Sequence, residues 1–332
     1  NNNNVETYCV APKHCVAMTA SDKTSIGADY NYKVVDAYTL TWDVNGGNAL
    51  TGSYTSGITA VGATITKPAN PTRTGYTFKN WGVTTPATVM PANNLTYTAV
   101  WTANTNTAYT VRHYQQNIAG TGYDLVDTDN LTGTTATSVT PAVKSYTGFT
   151  APTTQTVTIA ADGSTVVTYN YTRKSYTLTW NANGGTLSGT YTSGSVKYGA
   201  TITAPTTPTK TGYTFASWSP AVATTMPAAN TTYTATWTVV NYSITYNLDG
   251  GTAGTPANPT TYTIETATFT LSNPTKTGYT FLGWATSSTA TTAQYQPGGS
   301  YTNNASVTLY AVWKQNNEKT GKCGDGVTWT IS

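Results

Sequence analysis

The chain has 332 residues, room for two or three ordinary domains, but only 9% of them are charged and the formal net charge is +3. Arg173-Lys174 is the one adjacent basic pair in the region of repeats described below, so the sequence lacks the electrostatic footprint of a nucleic-acid or anionic-membrane binder. With 25 Tyr and 29 Gly among many threonines, the composition favours strands and turns and predicts a mainly β protein.

Residues 1–36 show no clear period and read as a leader or the end of an upstream module. No run of 18 apolar residues occurs, and NNNNVETYCV has neither a charged nor an apolar signal region, so no direct membrane insertion is expected of this segment. Cys9 and Cys15 are close enough for a small loop disulfide, which leaves Cys323 over. A metal reading of Cys9, His14 and Cys15 supplies three ligands where structural zinc takes four; unpaired thiols are the third reading. Neither metal nor cofactor is expected.

From Tyr38 onward the chain repeats. YTLTW at Tyr38–Trp42 runs into Asn45-Gly46-Gly47, and the same run at Tyr176–Trp180 precedes Asn183-Gly184-Gly185. A third version, YSITY at Tyr242–Tyr246, precedes Asp249-Gly250-Gly251. Alternation ending in such a turn predicts a half-buried strand and a turn with positive φ. Second strands are expected near Ala63–Thr66, Ala200–Thr203 and Thr268–Leu271. After a Pro-containing turn comes the strongest landmark: TRTGYTFKNW at Thr72–Trp81, TKTGYTFASW at Thr209–Trp218 and TKTGYTFLGW at Thr275–Trp284. Tyr and Phe, two apart, share a strand face, whereas Trp, three after Phe, points the wrong way unless the strand kinks or bulges between them. Each unit closes on an alternating strand, ending at Trp101, Trp237 or Trp313.

These units resemble the Listeria-Bacteroides repeat family, also called internalin B-repeats, at the NGG turn, GYTFxxW and the terminal YxAxW. The resemblance implies modules at 37–102, 175–238 and 241–314, each a small β-grasp-like α+β unit of about four strands, found in tandem on bacterial surface or secreted proteins. A short helix, if present, belongs in the connection after the second Trp. Residues 108–172 lack GYTFxxW. With YTVRHY at Tyr109–Tyr114, Tyr146-Thr-Gly-Phe149 and VVTYNY at Val166–Tyr171, they resemble a mucin-binding-protein-like repeat of Gram-positive adhesins. The 315–332 tail, with CGDGVTW at Cys323–Trp329, resembles the segment preceding leucine-rich repeats in Bacteroides-type surface proteins and reads as a linker and the start of a truncated following domain.

The expectation is thus a mainly β rod of four β-grasp-like modules, about 110 Å long if modules of about 65 residues lie in line. It is an extracellular spacer that presents a distal domain and contributes to adhesion. Alternatives are a glycan- or mucin-binding adhesin and accessory repeats of a secreted enzyme. Host or mucin glycans and other surface proteins are the partners this implies.

A unit so small needs its bulky residues inside. Trp42, Tyr76, Phe78, Trp81 and Trp101 are therefore expected in the core of the first unit, and Trp180, Tyr213, Phe215, Trp218 and Trp237 in that of the second. Tyr279, Phe281, Trp284 and Trp313 belong to the third. Tyr54, Tyr191 and Tyr198 are the exposed-aromatic candidates, with loop anchoring the plainer role. No enzyme is expected: the two His, His14 and His113, have no Ser or Cys nucleophile motif beside them. Asp124, Asp127 and Asp129 cluster in an expected loop, without the Gly and closing Glu of a calcium loop. Lys cross-links to Asn or Asp need a buried acid alongside, and Glu6, Glu265 and Glu318 are the only glutamates.

Overall fold

A computed structural model describes residues 36–316 and, by backbone alone, strands at 319–323 and 327–331. The leader, with Cys9, His14 and Cys15, and the side chain of Cys323 lie outside the described residues, and with them the expected disulfide. The chain divides into two compact units, Asn1–Arg173 and Lys174–Ser332.

In the first unit, one module comprises β1 (Ala37–Asp43), β2 (Gly57–Ala60), β3 (Tyr76–Asn80), β4 (Leu95–Thr98) and β5 (Val100–Ala103). β1 runs antiparallel to β2 and parallel to β4, with Trp42 opposite Tyr97. β4 and β5 are one strand interrupted at Ala99, whose N–H bonds Asp43 O, and β5 pairs antiparallel with β3. The next module comprises β6 (Thr107–Gln116), β7 (Tyr123–Gly133), β8 (Ser138–Val139), β9 (Phe149–Thr150), β10 (Val157–Thr158) and β11 (Val166–Arg173). Its sheet order, β7-β6-β11-β9, again places the first and last long strands side by side and parallel. A segment without GYTFxxW thus has the same sheet plan as its neighbour.

The second unit holds β12 (Ser175–Asn181), β13 (Thr186–Ser188), β14 (Gly194–Lys197), β15 (Thr206–Thr209), β16 (Tyr213–Ser219) and β17 (Thr231–Val239). β18 (Tyr242–Asn247), β19 (Thr261–Tyr262), β20 (Phe269–Thr270), β21 (Tyr279–Ala285), β22 (Ser300–Tyr301) and β23 (Val307–Gln315) follow, then β24 (Lys319–Cys323) and β25 (Val327–Ile331). Sheet orders β14-β12-β17-β16 and β19-β18-β23-β21 repeat the plan, with a parallel central pair each time.

The protein is mainly β, and two expectations need correction. Among the described residues there is no helix, so the modules are not α+β: the connection after the second Trp is built of turns and isolated bridges such as Thr64–Val89 and Thr201–Thr225. MPANN and MPAAN bury Met90 and Met226 against their cores in an irregular strap, and a Pro in each strap suits an extended path. The second strand also lies earlier than expected in the first and second repeats, at β2 and β14, because it must pair with the start of β1 and β12. Ala63–Thr66 and Ala200–Thr203 instead bridge to the strap, and in the third repeat Phe269 and Thr270 pair with the distant Ser300–Tyr301.

The irregularity in GYTFxxW is a bulge. The register slips between Phe78 and Asn80, between Phe215 and Ser217, and between Phe281 and Gly283. The extra residue is Lys79, Ala216 or Leu282, three unlike side chains, as expected of a position outside the ladder. One added residue returns Trp81, Trp218 and Trp284 to the face of Phe78, Phe215 and Phe281, where each Trp meets its Phe with ring centroids 5.4 Å apart. Completely burying one such ring contributes about 1.5–3 kcal/mol.

Candidate functional sites

Each repeat carries a continuous row of rings that starts in the core and ends at its surface. In the first, Trp42 stacks on Tyr97 at 4.7 Å and meets Trp81 edge-on at 4.9 Å; Phe78 links Trp81 to Trp101. Trp180, Trp218, Phe215 and Trp237 form the same row in the second. In the third, Tyr246 stands in for the first Trp, followed by Trp284, Phe281 and Trp313. Trp42 and Trp180 donate Nε1–H to Thr55 O and Thr192 O, and Tyr246 donates its hydroxyl to Pro259 O, so the swap of ring preserves the bond. Burial pushes the Tyr246 hydroxyl up to about 12.

Trp42, Trp81, Trp180 and Trp284 are buried. Phe78, Phe215, Phe281, Trp101, Trp218, Trp237 and Trp313 are half-buried. Tyr76, Tyr213 and Tyr279, expected in the core, are half-buried and stand outside the core clusters. A cation covers each: Arg73 lies 4.1 Å from the Tyr76 ring centre, Lys210 4.2 Å from Tyr213 and Lys276 4.4 Å from Tyr279. The same cations donate to the turn carbonyls of Asn45, Asn183 and Asp249. Their sequence signal, a basic residue three before the landmark Tyr in all three copies, is plain once the geometry gives it a role. Tyr54 and Tyr191 pack against their cores as loop anchors; Tyr198 is half-buried. In the third repeat the surface end opens into a cleft of about 630 Å³ whose lining includes Gly250, Thr252, Lys276, Tyr279 and Trp313.

The glycine turns are fitted to this row. Asn45 and Gly46, Asn183 and Gly184, and Asp249 and Gly250 have positive φ. The second glycine serves another purpose: a Cβ on Gly47 would fall 2.5 Å from Trp101 Cζ2, and Gly185 and Gly251 face Trp237 and Trp313 in the same way. The ring lies flat on the turn and donates Nε1–H to Val44 O, Ala182 O or Leu248 O. Asn45 and Asn183 donate their side-chain amides to Ala99 O and Ala235 O. Asp249, an acceptor only, takes Lys276 Nζ instead at 3.1 Å.

A charged cluster occupies the module of residues 107–173. Asp127 and Asp129 were expected in a loop; they lie in β7, opposite His113 and Val111, because the strand continues past the expected turn. Two apart, they point to the same side as the buried His113. Lys144, from the crossover between β8 and β9, reaches Asp127 Oδ2 at 2.5 Å and Asp129 Oδ1 at 2.6 Å. His113 Nε2 is 3.1 Å from Asp129 Oδ2, and its Nδ1 is 2.9 Å from the Tyr171 hydroxyl. That hydroxyl accepts the N–H of Lys144 and has its own proton left for Nδ1, which assigns the other ring proton to Nε2 and hence to Asp129. Lys144 holds both carboxyls below the usual carboxylate range, and the two carboxylates raise the Lys144 ammonium. The two carboxylates thus share one ammonium, and His113 is a further partner of Asp129. Asp124 lies opposite Gln115, away from Lys144's two partners. Lys144 itself carried no sequence signal, being 17 and 15 residues from its two partners.

A family model described as the Listeria-Bacteroides repeat domain matches residues 38–106, 176–240 and 242–312. A protein of Evansella cellulosilytica described as a putative membrane protein is 28% identical over 314 residues, covering 86% of this chain and 45% of its own length. The chain therefore spans a little under half of that relative.

Proposed function

Because the chain belongs to the Listeria-Bacteroides repeat family, we propose that it is a non-catalytic, extracellular spacer of a bacterial cell-surface protein, holding a distal domain away from the envelope. The observation that carries this reading is that each repeat closes its own aromatic core within a single stretch of about 65 residues and hands the chain on through a few residues. Such units gain reach by addition. The described chemistry fits the role: among the described residues the one buried His is committed to Tyr171 and Asp129, and the two clustered carboxylates share the Lys144 ammonium. The description of the relative as a putative membrane protein supports a place at the envelope.

Small-angle scattering on the full chain tests the reading. A spacer should show a maximum dimension of about 110 Å, whereas a compact body of this length would measure about 50 Å across. The smaller value would overturn the proposal.

A further inference from the structure

In the first two repeats the turn before the aromatic strand also makes contact beyond its own repeat. In the first unit, a Cβ on Gly75 would fall 2.7 to 2.8 Å from the backbone and side chain of Ala161 in the following module. Ala161 is the second residue of a tight turn closed by Gly163 N–H to Ala160 O, and Asp162 follows it. In the second unit, a Cβ on Gly212 would fall 2.6 Å from Ile264, the second residue of the turn closed by Thr266 N–H to Thr263 O. Here Glu265 follows, and Tyr213 donates its hydroxyl to Glu265 Oε1 at 2.7 Å. Both joints seat a bare glycine against an aliphatic residue that precedes an acidic one.

The third repeat has the same seat. Gly75 is half-buried and Gly212 buried, but Gly278 is exposed, with no described atom within 4 Å of where its Cβ would stand. The chain nevertheless leaves this repeat as it leaves the first. Asn104 N–H bonds Gly75 O and Asn316 N–H bonds Gly278 O, both at 2.9 Å. Thr77 and Thr280 donate their hydroxyls to the side chains of those two asparagines. A strand begins three residues after each, at Thr107 and at Lys319.

We propose that Gly278 and Tyr279 form a docking seat for a further β-module of the same polypeptide, engaged through a tight turn bearing an aliphatic residue followed by an acidic one. The glycine offers a flat contact for the aliphatic side chain, and the Tyr279 hydroxyl donates to the carboxylate as Tyr213 does. The Lys276 ammonium, 4.4 Å from the Tyr279 ring centre, adds a positive field. A contact this small holds only when a short linker keeps the local concentration of the partner high. A second copy of the chain fits less well, since the corresponding turn of the first repeat, closed by Ala63 N–H to Ala60 O, presents Val61-Gly62 without an acid.

The test is a chain in which residues 241–316 are repeated directly after Asn316, so that the appended copy presents its own Ile264-Glu265 turn to Gly278. Residual dipolar couplings should give one alignment tensor for the third repeat and the appended copy, with shifted Gly278 and Tyr279 resonances. Glu265→Lys in the appended copy alone, which leaves the first three repeats intact, should abolish both effects. Gly278→Val should do the same, and the appended variant keeps the test decisive if that substitution strains the turn. Independent alignment of the appended copy with Gly278 intact would overturn the proposal. So would concentration-dependent self-association of the 332-residue chain that Val61→Asp abolishes, which would give the seat to a second copy.

Discussion

Gly47, Gly185 and Gly251 are glycines because of the ring laid against them; positive φ is a property of the residues before them. Gly185→Ala is expected to cost the second repeat about 1–3 kcal/mol by overpacking. Amide hydrogen exchange within that repeat measures it, and Trp237→Phe in the same chain should relieve part of the loss. The tryptophans also differ in their polar atoms. Trp42 Nε1 donates to Thr55 O, whereas Trp81 Nε1 meets no acceptor among the described residues. Trp42→Phe should therefore destabilise by about 1 kcal/mol more than Trp81→Phe, since it alone breaks a hydrogen bond. Equal costs would show that ring volume alone matters. Emptying a buried aromatic site costs about 3–5 kcal/mol; Phe215 is half-buried, and Phe215→Ala should cost about half that.

The bulge is the element most fully written in the sequence, because a Trp three after a Phe can share its face only through an extra residue. Deleting Ala216 should put Trp218 on the opposite face and abolish the protected core of the second repeat, while Ala216→Lys, which mimics the first repeat, should leave it folded. Heteronuclear NMR spectra of the two variants distinguish these outcomes. The charged cluster was not legible: Asp127 and Asp129 looked like a loop until the pairing of β6 and β7 put them in register with His113, and Lys144 arrives from outside the sheet. Its carboxyls fall below their ordinary 3.8, so their contribution to stability is complete above that value and is lost as pH falls through their lower folded values. Lys144, raised above 10.5, contributes fully below 10.5 and ceases to as pH rises through its folded value. Side-chain carboxyl resonances should place both Asp residues below 3.8 in the native chain, and Lys144→Met should raise them. On an edge strand such as β7, these inward-facing charges also hinder pairing with a stray strand.

Across the whole molecule, repetition made the three repeats legible, because landmarks recurring in order fix strand, turn and core face together. What stayed hidden was pairing at a distance: β2 and β14 were misplaced, and the strap after the second Trp was left as the place for the short helix that the resemblance implied, since Met90 and Met226 give no local sign that their connections stay irregular. For residues 107–173 a β-grasp-like plan followed from the resemblance and not from a recurring motif, and its strands are ordered by the pairing of β6 with β11.

The parallel central pair has a mechanical consequence. In each module the chain enters at the start of one of these strands and leaves at the end of the other, so tension on the two ends drags the strands past each other lengthwise. The hydrogen bonds between them are then loaded together, whereas an antiparallel hairpin pulled at its open end parts one bond at a time. Four residue pairs carry that load in each of the three repeats, against six between β6 and β11. Stretched singly in a force spectrometer, the chain should give three weaker unfolding events and one stronger, the strongest coming from residues 107–173. An event from residues 107–173 weaker than the other three would mean that the load runs elsewhere.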